Sequence, residues 1–260
     1  MSYFQSHSGK IYYEDLGKGN PIVFIHGRTL DSRMWQPQID VLKTNYRCIT
    51  YDLNGFGKSE IPKDGYDPVL TLKELLEYLN LSKITIIALS LGTHIAINFA
   101  LDYQQFINKL VLMSCTIPGS QFSKKFNDDW AEVENAGKNG NFDLAKKLWI
   151  SCKAFSQLEK NNPNNYKLFC NIVDSYTCWD IFNPPKKISR PDAIKRLSEI
   201  IVPTLIISGE RDYDDFIKNG KLLGEKLPKT EVVTISNSTH MVNLEFPDIV
   251  NKLILDFLKS

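Results

Sequence analysis

No stretch of this sequence approaches the roughly 20 consecutive apolar residues that a membrane-spanning helix needs. The opening residues, MSYFQSHSGK, have no apolar core, so a secretory signal is not expected. An excess of one charge is also missing. The 31 Lys and Arg offset 30 Asp and Glu to leave +1, which gives no electrostatic reason to expect nucleic acid or an anionic membrane surface as partner. Cysteine is sparse and odd in number. Cys48, Cys115, Cys152, Cys170 and Cys178 form no C-x-x-C pair, and none lies near a histidine at metal-ligand spacing. Reduced, mostly buried thiols in a cytoplasmic protein are the expectation. The N-x-S/T triplets at Asn80 and Asn237 matter only in a secretory compartment and are read as chance. Internal repeats and low-complexity tracts are absent. What is present is 260 residues, 43% of them hydrophobic, enough for one generous domain or one domain with a large insertion.

Short β-branched runs bounded by turn residues alternate with amphipathic stretches. The expected strands are Lys10–Asp15, Pro21–His26, Tyr46–Asp52, Lys83–Ser90, Lys109–Cys115, Thr204–Gly209 and Glu231–Ser236. Most of the later runs (IVFI, ITIIAL, LVLM, TLII) are continuously apolar, as strands covered on both faces are in a parallel sheet. Leu72, Leu75, Leu76 and Leu79 mark one face of a helix, and Ile249, Leu253, Ile254 and Phe257 mark another. The pattern predicts an α/β fold with a mostly parallel open sheet flanked by helices. The alternation breaks between about 117 and 197, where several helices punctuated by Gly137–Gly140, Pro163 and Pro184–Pro185 are expected. The predicted division is a core of residues 1–116 and 198–260 and a helical cap of residues 117–197. An insertion of that length is too long for a structureless loop; it is expected to be a lid over the C-terminal strand edge, where open α/β sheets bind ligands, the alternative being a stabilising appendage without contact to ligand.

The strongest local signal is Ala88-Leu89-Ser90-Leu91-Gly92, which follows a buried run and opens a helical one. A serine at such a strand-to-helix turn is held in a strained conformation that pushes its hydroxyl over the sheet edge, and small residues on either side let the two backbones pass. The alternative for Ser90 is an ordinary helix N-cap. As a nucleophile it needs a base, and the base needs an orienting carboxylate. Of the four histidines, His240 sits in the loop Asn-Ser-Thr-His-Met after a predicted strand, at the same sheet edge. His7 falls in an N-terminal hairpin, and His94 lies in the helix after Ser90, where packing or capping is expected. Asp212, just beyond TLII, is the acid candidate, with Asp214 and Asp215 as fallbacks. Gly27, after the strand PIVFI, permits a tight turn that can aim the Arg28 backbone N–H into the site. With the Leu91 N–H it makes an oxyanion hole, each donor worth roughly 3–4 kcal/mol in the transition state. His26 is expected to be structural.

Taken together, these residues resemble the α/β-hydrolase superfamily over nearly the whole chain. The matching segments are His26-Gly27 with Asp31-Ser32 and Trp35, then Asp52-Leu53-Asn54-Gly55-Phe56-Gly57-Lys58-Ser59, Ala88–Gly92, Gly209-Glu210-Arg211-Asp212, and His240. The resemblance implies a Ser90–His240–Asp212 triad, Arg28 and Leu91 amides as the oxyanion hole, and a helical cap over the site. Two residues depart from the family pattern: Ala88 stands where glycine is usual, and Asn54 where arginine is common. Serine at position 90 argues against the dehalogenases and epoxide hydrolases of the superfamily, which use aspartate there.

The expected function is a serine hydrolase that cleaves a small, apolar carboxylic ester through a seryl acyl-enzyme, needing no cofactor or metal. The expected partner is a small-molecule substrate; oligomeric state is not legible. The same triad also suits thioesters, amides, carbon–carbon bonds of β-diketone type and peracid formation. A non-catalytic small-molecule receptor or a cofactor-free lyase on the same scaffold are the rival readings. Because the base must be neutral, the rate should fall below about pH 6.5, the reference value for imidazole. Phe122, Phe126, Trp130, Phe142, Trp149, Phe155, Phe169 and Trp179 fall in the cap. Most of them are expected to pack it onto the sheet, with some lining an acyl pocket.

Overall fold

The computed structural model describes residues 2–183, 188 and 190–260. The chain begins with β1 (Ser2–Ser6), β2 (Gly9–Leu16), β3 (Asn20–Ile25), α1 (Gln36–Leu42), β4 (Tyr46–Tyr51) and α2 (Pro68–Tyr78). Next come β5 (Ile84–Leu89), α3 (Leu91–Tyr103) and β6 (Ile107–Met113). After them run α4 (Lys124–Lys138), α5 (Phe142–Ser151), α6 (Leu158–Asn161), α7 (Pro163–Asp174), α8 (Trp179–Phe182) and α9 (Ala193–Arg196). The chain returns to the sheet with β7 (Thr204–Gly209), α10 (Asp214–Lys226), β8 (Thr230–Ile235), α11 (Val242–Glu245) and α12 (Pro247–Lys259). The strands form one eight-stranded sheet in the order β1-β2-β4-β3-β5-β6-β7-β8. From β4 to β8 every pairing is parallel, and β1 and β2 add an antiparallel edge.

The continuous apolar runs follow from this position. All six residues of β5 are buried. Ile84, Ile86 and Ala88 pack into one core, Ile87 and Leu89 into the core on the other face. Each large aliphatic side chain taken out of water is worth roughly 1.5–3 kcal/mol, so a central strand favours apolar residues at nearly every position, with Thr85 the one polar residue of β5. The seven expected strands are present within one or two residues at each end. β1 joins them as the first arm of the hairpin that carries His7, whose imidazole meets Glu74 at 2.9 Å. Among the described residues, the segment between β6 and β7 holds helices and no strand. It folds as a helical cap. The break expected at Pro184–Pro185 lies outside the described residues. Among those residues no helix is long and apolar enough to cross a membrane.

Candidate active site

Ser90 joins β5 to α3 with φ 53° and ψ −114°, a conformation that costs a non-glycine residue on the order of 1–3 kcal/mol. The surrounding backbone enforces it. The Ser90 N–H donates to the Met113 carbonyl at 3.0 Å, and the Ser90 carbonyl accepts from Thr93 N–H at 2.8 Å and the Thr93 hydroxyl at 2.7 Å. A Cβ at Gly92 would sit 2.3 Å from the Ile25 carbonyl oxygen, so α3 can start this close to β3 only with glycine there. Ala88, in register between Ile25 and Leu112, is fully buried, and its methyl is accommodated. The Ser90 side chain makes no capping bond to α3, which removes the helix-cap explanation for this serine.

His240 and Asp212 come from the loops after β8 and β7. The His240 Nδ1–H donates to Asp212 Oδ2 at 2.8 Å, and the other carboxylate oxygen accepts from Tyr213 N–H at 2.7 Å. Both side chains are buried. A Cβ at Gly209 would lie 2.0 Å from the Thr239 carbonyl oxygen, so the two loops approach across a bare α-carbon. The fallback acids are not part of this contact. Asp215 instead accepts from the Ser123 N–H and hydroxyl, both at 2.7 Å, and Asp214 lies in the first turn of α10.

Ser90 and His240 line one cavity of about 160 Å³, with Arg28 and Leu91 on its wall. Neither the Arg28 nor the Leu91 N–H donates to a backbone acceptor among the described residues. A tight turn presents Arg28: the Leu30 N–H donates to the Gly27 carbonyl at 3.4 Å, and Thr29 takes the left-handed conformation within it, with φ 65°. His26 is fully buried and structural. Its Nε2 accepts from Leu53 N–H at 2.8 Å while its Nδ1–H donates to the Gly27 carbonyl at 2.8 Å, and burial lowers its pKa. Asp52 anchors the same region by accepting from Ser32 N–H and Lys58 N–H, each at 2.8 Å. Asn54, the departure in this segment, bonds Ser8 at 2.8 Å and Thr71 at 3.1 Å.

The alpha/beta hydrolase fold family matches residues 20–247. The chain belongs to the α/β-hydrolase-fold family. It is 29% identical to the AB hydrolase superfamily protein YisY of Bacillus subtilis, over 96% of each chain. It is 28% identical to 3-oxoadipate enol-lactonase 1 of Acinetobacter baylyi, over 92% of this chain and 88% of that one. The solved structure of a thermophilic esterase from Thermogutta terrifontis superposes with a TM-score of 0.85 at 22% identity, over 99% of this chain and 97% of that one, a likeness of fold. This α/β hydrolase is accordingly a hydrolase by family.

Several supports of the site escaped the sequence reading. The Ser114 hydroxyl donates to the His240 carbonyl at 2.7 Å. The buried Glu245 carboxylate accepts from Thr239 N–H at 3.0 Å, from the Thr239 hydroxyl, and from Asn161 Nδ2 at 2.8 Å. The cap enters directly as well: His240 N–H donates to the Ala154 carbonyl at 3.0 Å, and the Trp149 indole donates to Thr29 at 2.7 Å. A serine at a strand end and a glutamate on a one-turn helix carry no pattern that could have flagged them. The cap aromatics divide between the cavity wall and packing elsewhere. Phe122, Phe126, Trp130, Trp149 and Phe155 line the cavity. Phe169 lies behind Phe155 at 4.5 Å between centroids, Trp179 packs on Phe56, and Phe142 is exposed.

Proposed function

We propose that this α/β hydrolase cleaves carboxylic esters through a seryl acyl-enzyme, with Ser90 as nucleophile, His240 as base and Asp212 as its orienting carboxylate. The observation that carries the reading is the buried 2.8 Å Asp212–His240 bond behind a cavity whose wall His240 shares with a strained, uncapped Ser90. Asp212 holds Nδ1, which leaves Nε2 for the reaction. As the Ser90 oxygen adds to the ester carbonyl, its proton passes to Nε2, and the carbonyl oxygen gains negative charge beside the Arg28 and Leu91 amides. The tetrahedral intermediate collapses, the C–O bond to the alcohol breaks, and Nε2 returns the proton to the leaving alkoxide. Water then enters; Nε2 takes its proton as hydroxide adds to the acyl carbon. On collapse Ser90 leaves with the proton, and the carboxylic acid that remains gives up its own proton to solvent as the carboxylate product departs. Residues 117–197 serve as the lid over this chemistry. Labelling by a fluorophosphonate probe, together with turnover of p-nitrophenyl butyrate, tests the assignment. Ser90→Ala should abolish both while the protein stays folded. Intact turnover in that variant would remove Ser90 from the mechanism.

A further inference from the structure

We infer that the cavity selects neutral acyl groups of about benzene size, and that Asp180, a cap residue, sets this charge preference by neutralising Arg28; the inference rests on the ester-hydrolase reading. The size argument is volumetric. The space is about 160 Å³, and an apolar protein cavity of about 150 Å³ is known to hold benzene. Its facing walls include Leu30, Leu89, Phe126, Trp130, Trp149 and Phe216. A flat ring or a chain of four to six carbons loses only water on entering such a space.

The charge argument concerns Arg28. Apart from His240, it is the one lining residue among those described whose side chain can carry charge. A free guanidinium at this wall would make the cavity a receptor for carboxylates. This one is engaged. Its Nε donates to Asp180 Oδ2 at 2.7 Å, and its central carbon lies 3.7 Å from the Trp130 ring centroid. Only 6% of the Asp180 side chain is exposed, and its other oxygen accepts from the Tyr176 hydroxyl. The pair is therefore neutral in sum and fixed from the cap side. An acyl chain ending in a carboxylate would have to shed its hydration against aromatic rings and find the cation already matched.

The test compares ethyl pentanoate with monoethyl glutarate, whose acyl chain carries a carboxylate in place of the terminal methyl, by ethanol release. The native protein should favour the pentanoate by at least tenfold in kcat/KM. Asp180→Asn removes the negative charge but keeps the shape. It should shrink that preference at least threefold, chiefly by lowering KM for the glutarate, while Asp180→Glu should restore it. A native preference below tenfold overturns the inference, and this measurement stands even if Asp180→Asn does not fold. A folded Asp180→Asn protein with an unchanged preference overturns the role given to Asp180. If neither ester is turned over and the fluorophosphonate leaves Ser90 unlabelled, the hydrolase reading itself has failed and takes this inference with it. Labelled Ser90 with equal turnover of both esters defeats the inference alone.

Discussion

Ser90 and His240 face the same cavity but are held by different parts of the molecule. The serine is fixed by the sheet core: β5 before it, α3 after it, the Met113 carbonyl beside it and the Ile25 carbonyl against Gly92. The histidine is held partly by the sheet, through Asp212 and Ser114, and partly by the cap, through the Ala154 carbonyl and the Asn161–Glu245 bond. Backbone atoms and close packing hold the first; hydrogen bonds that cross between two layers hold the second. Damage to the first should therefore appear as lost folding stability. Damage to the second should appear as lost turnover in a protein that still folds.

The largest effect is expected at Gly92. A methyl there must displace the Ile25 carbonyl, so Gly92→Ala should cost about 3 kcal/mol in urea unfolding and silence Ser90. Native stability in that variant would mean the elbow yields easily and the contrast between the two sides is false. Next is Glu245→Gln, which sets an amide donor against the donors of Thr239 and Asn161. The cost should be about 2 kcal/mol, with kcat down about tenfold and fluorophosphonate labelling slowed but retained.

Acid should weaken the Ser90 side. Burial first, and Arg190 second, push the His94 pKa on α3 down to about 4. Below the reference pKa of about 6.5 the unfolded imidazole binds a proton that the folded one refuses until about pH 4. Stability is complete above that window and falls as pH drops through it. Allowing for partial exposure, the loss between pH 7 and pH 5 should be about 1 kcal/mol. His94→Phe should shrink the slope of urea stability against pH without abolishing it, because buried His26 titrates in the same direction. An unchanged slope would show that His94 does not contribute. The smallest effect is expected for Asn161→Ala. It removes the bonds to Glu245 and to the Asn237 carbonyl at a cost of about 1 kcal/mol, and should lower kcat a few-fold with KM nearly constant.

The central strands could be read because burial on both faces leaves a nearly continuous apolar run, as in β5, where Thr85 is the one polar residue. β1 was legible only as the unbounded first arm of the hairpin expected at His7, because it buries only Phe4 and Ser6 and so carries little apolar pattern of its own. The triad candidates were legible for a related reason: Ser90, Asp212 and His240 each follow a strand, and parallel strands deliver their following loops to one edge. The cap aromatics were visible as residues but not as a wall. Helix faces in the cap are chosen by what they pack against, and Phe126, Trp130 and Trp149 turn toward the cavity while Trp179 turns to Phe56.

The sequence by itself determined the sheet, its α/β alternation and the order of Ser90, Asp212 and His240, because these depend on local hydrophobic pattern and turn chemistry. Only the tertiary structure decided that Arg28 would be matched by Asp180 across 152 residues and that Glu245 would tie the histidine loop to Asn161. Such contacts depend on where two layers meet, and no spacing along the chain encodes a distance between layers.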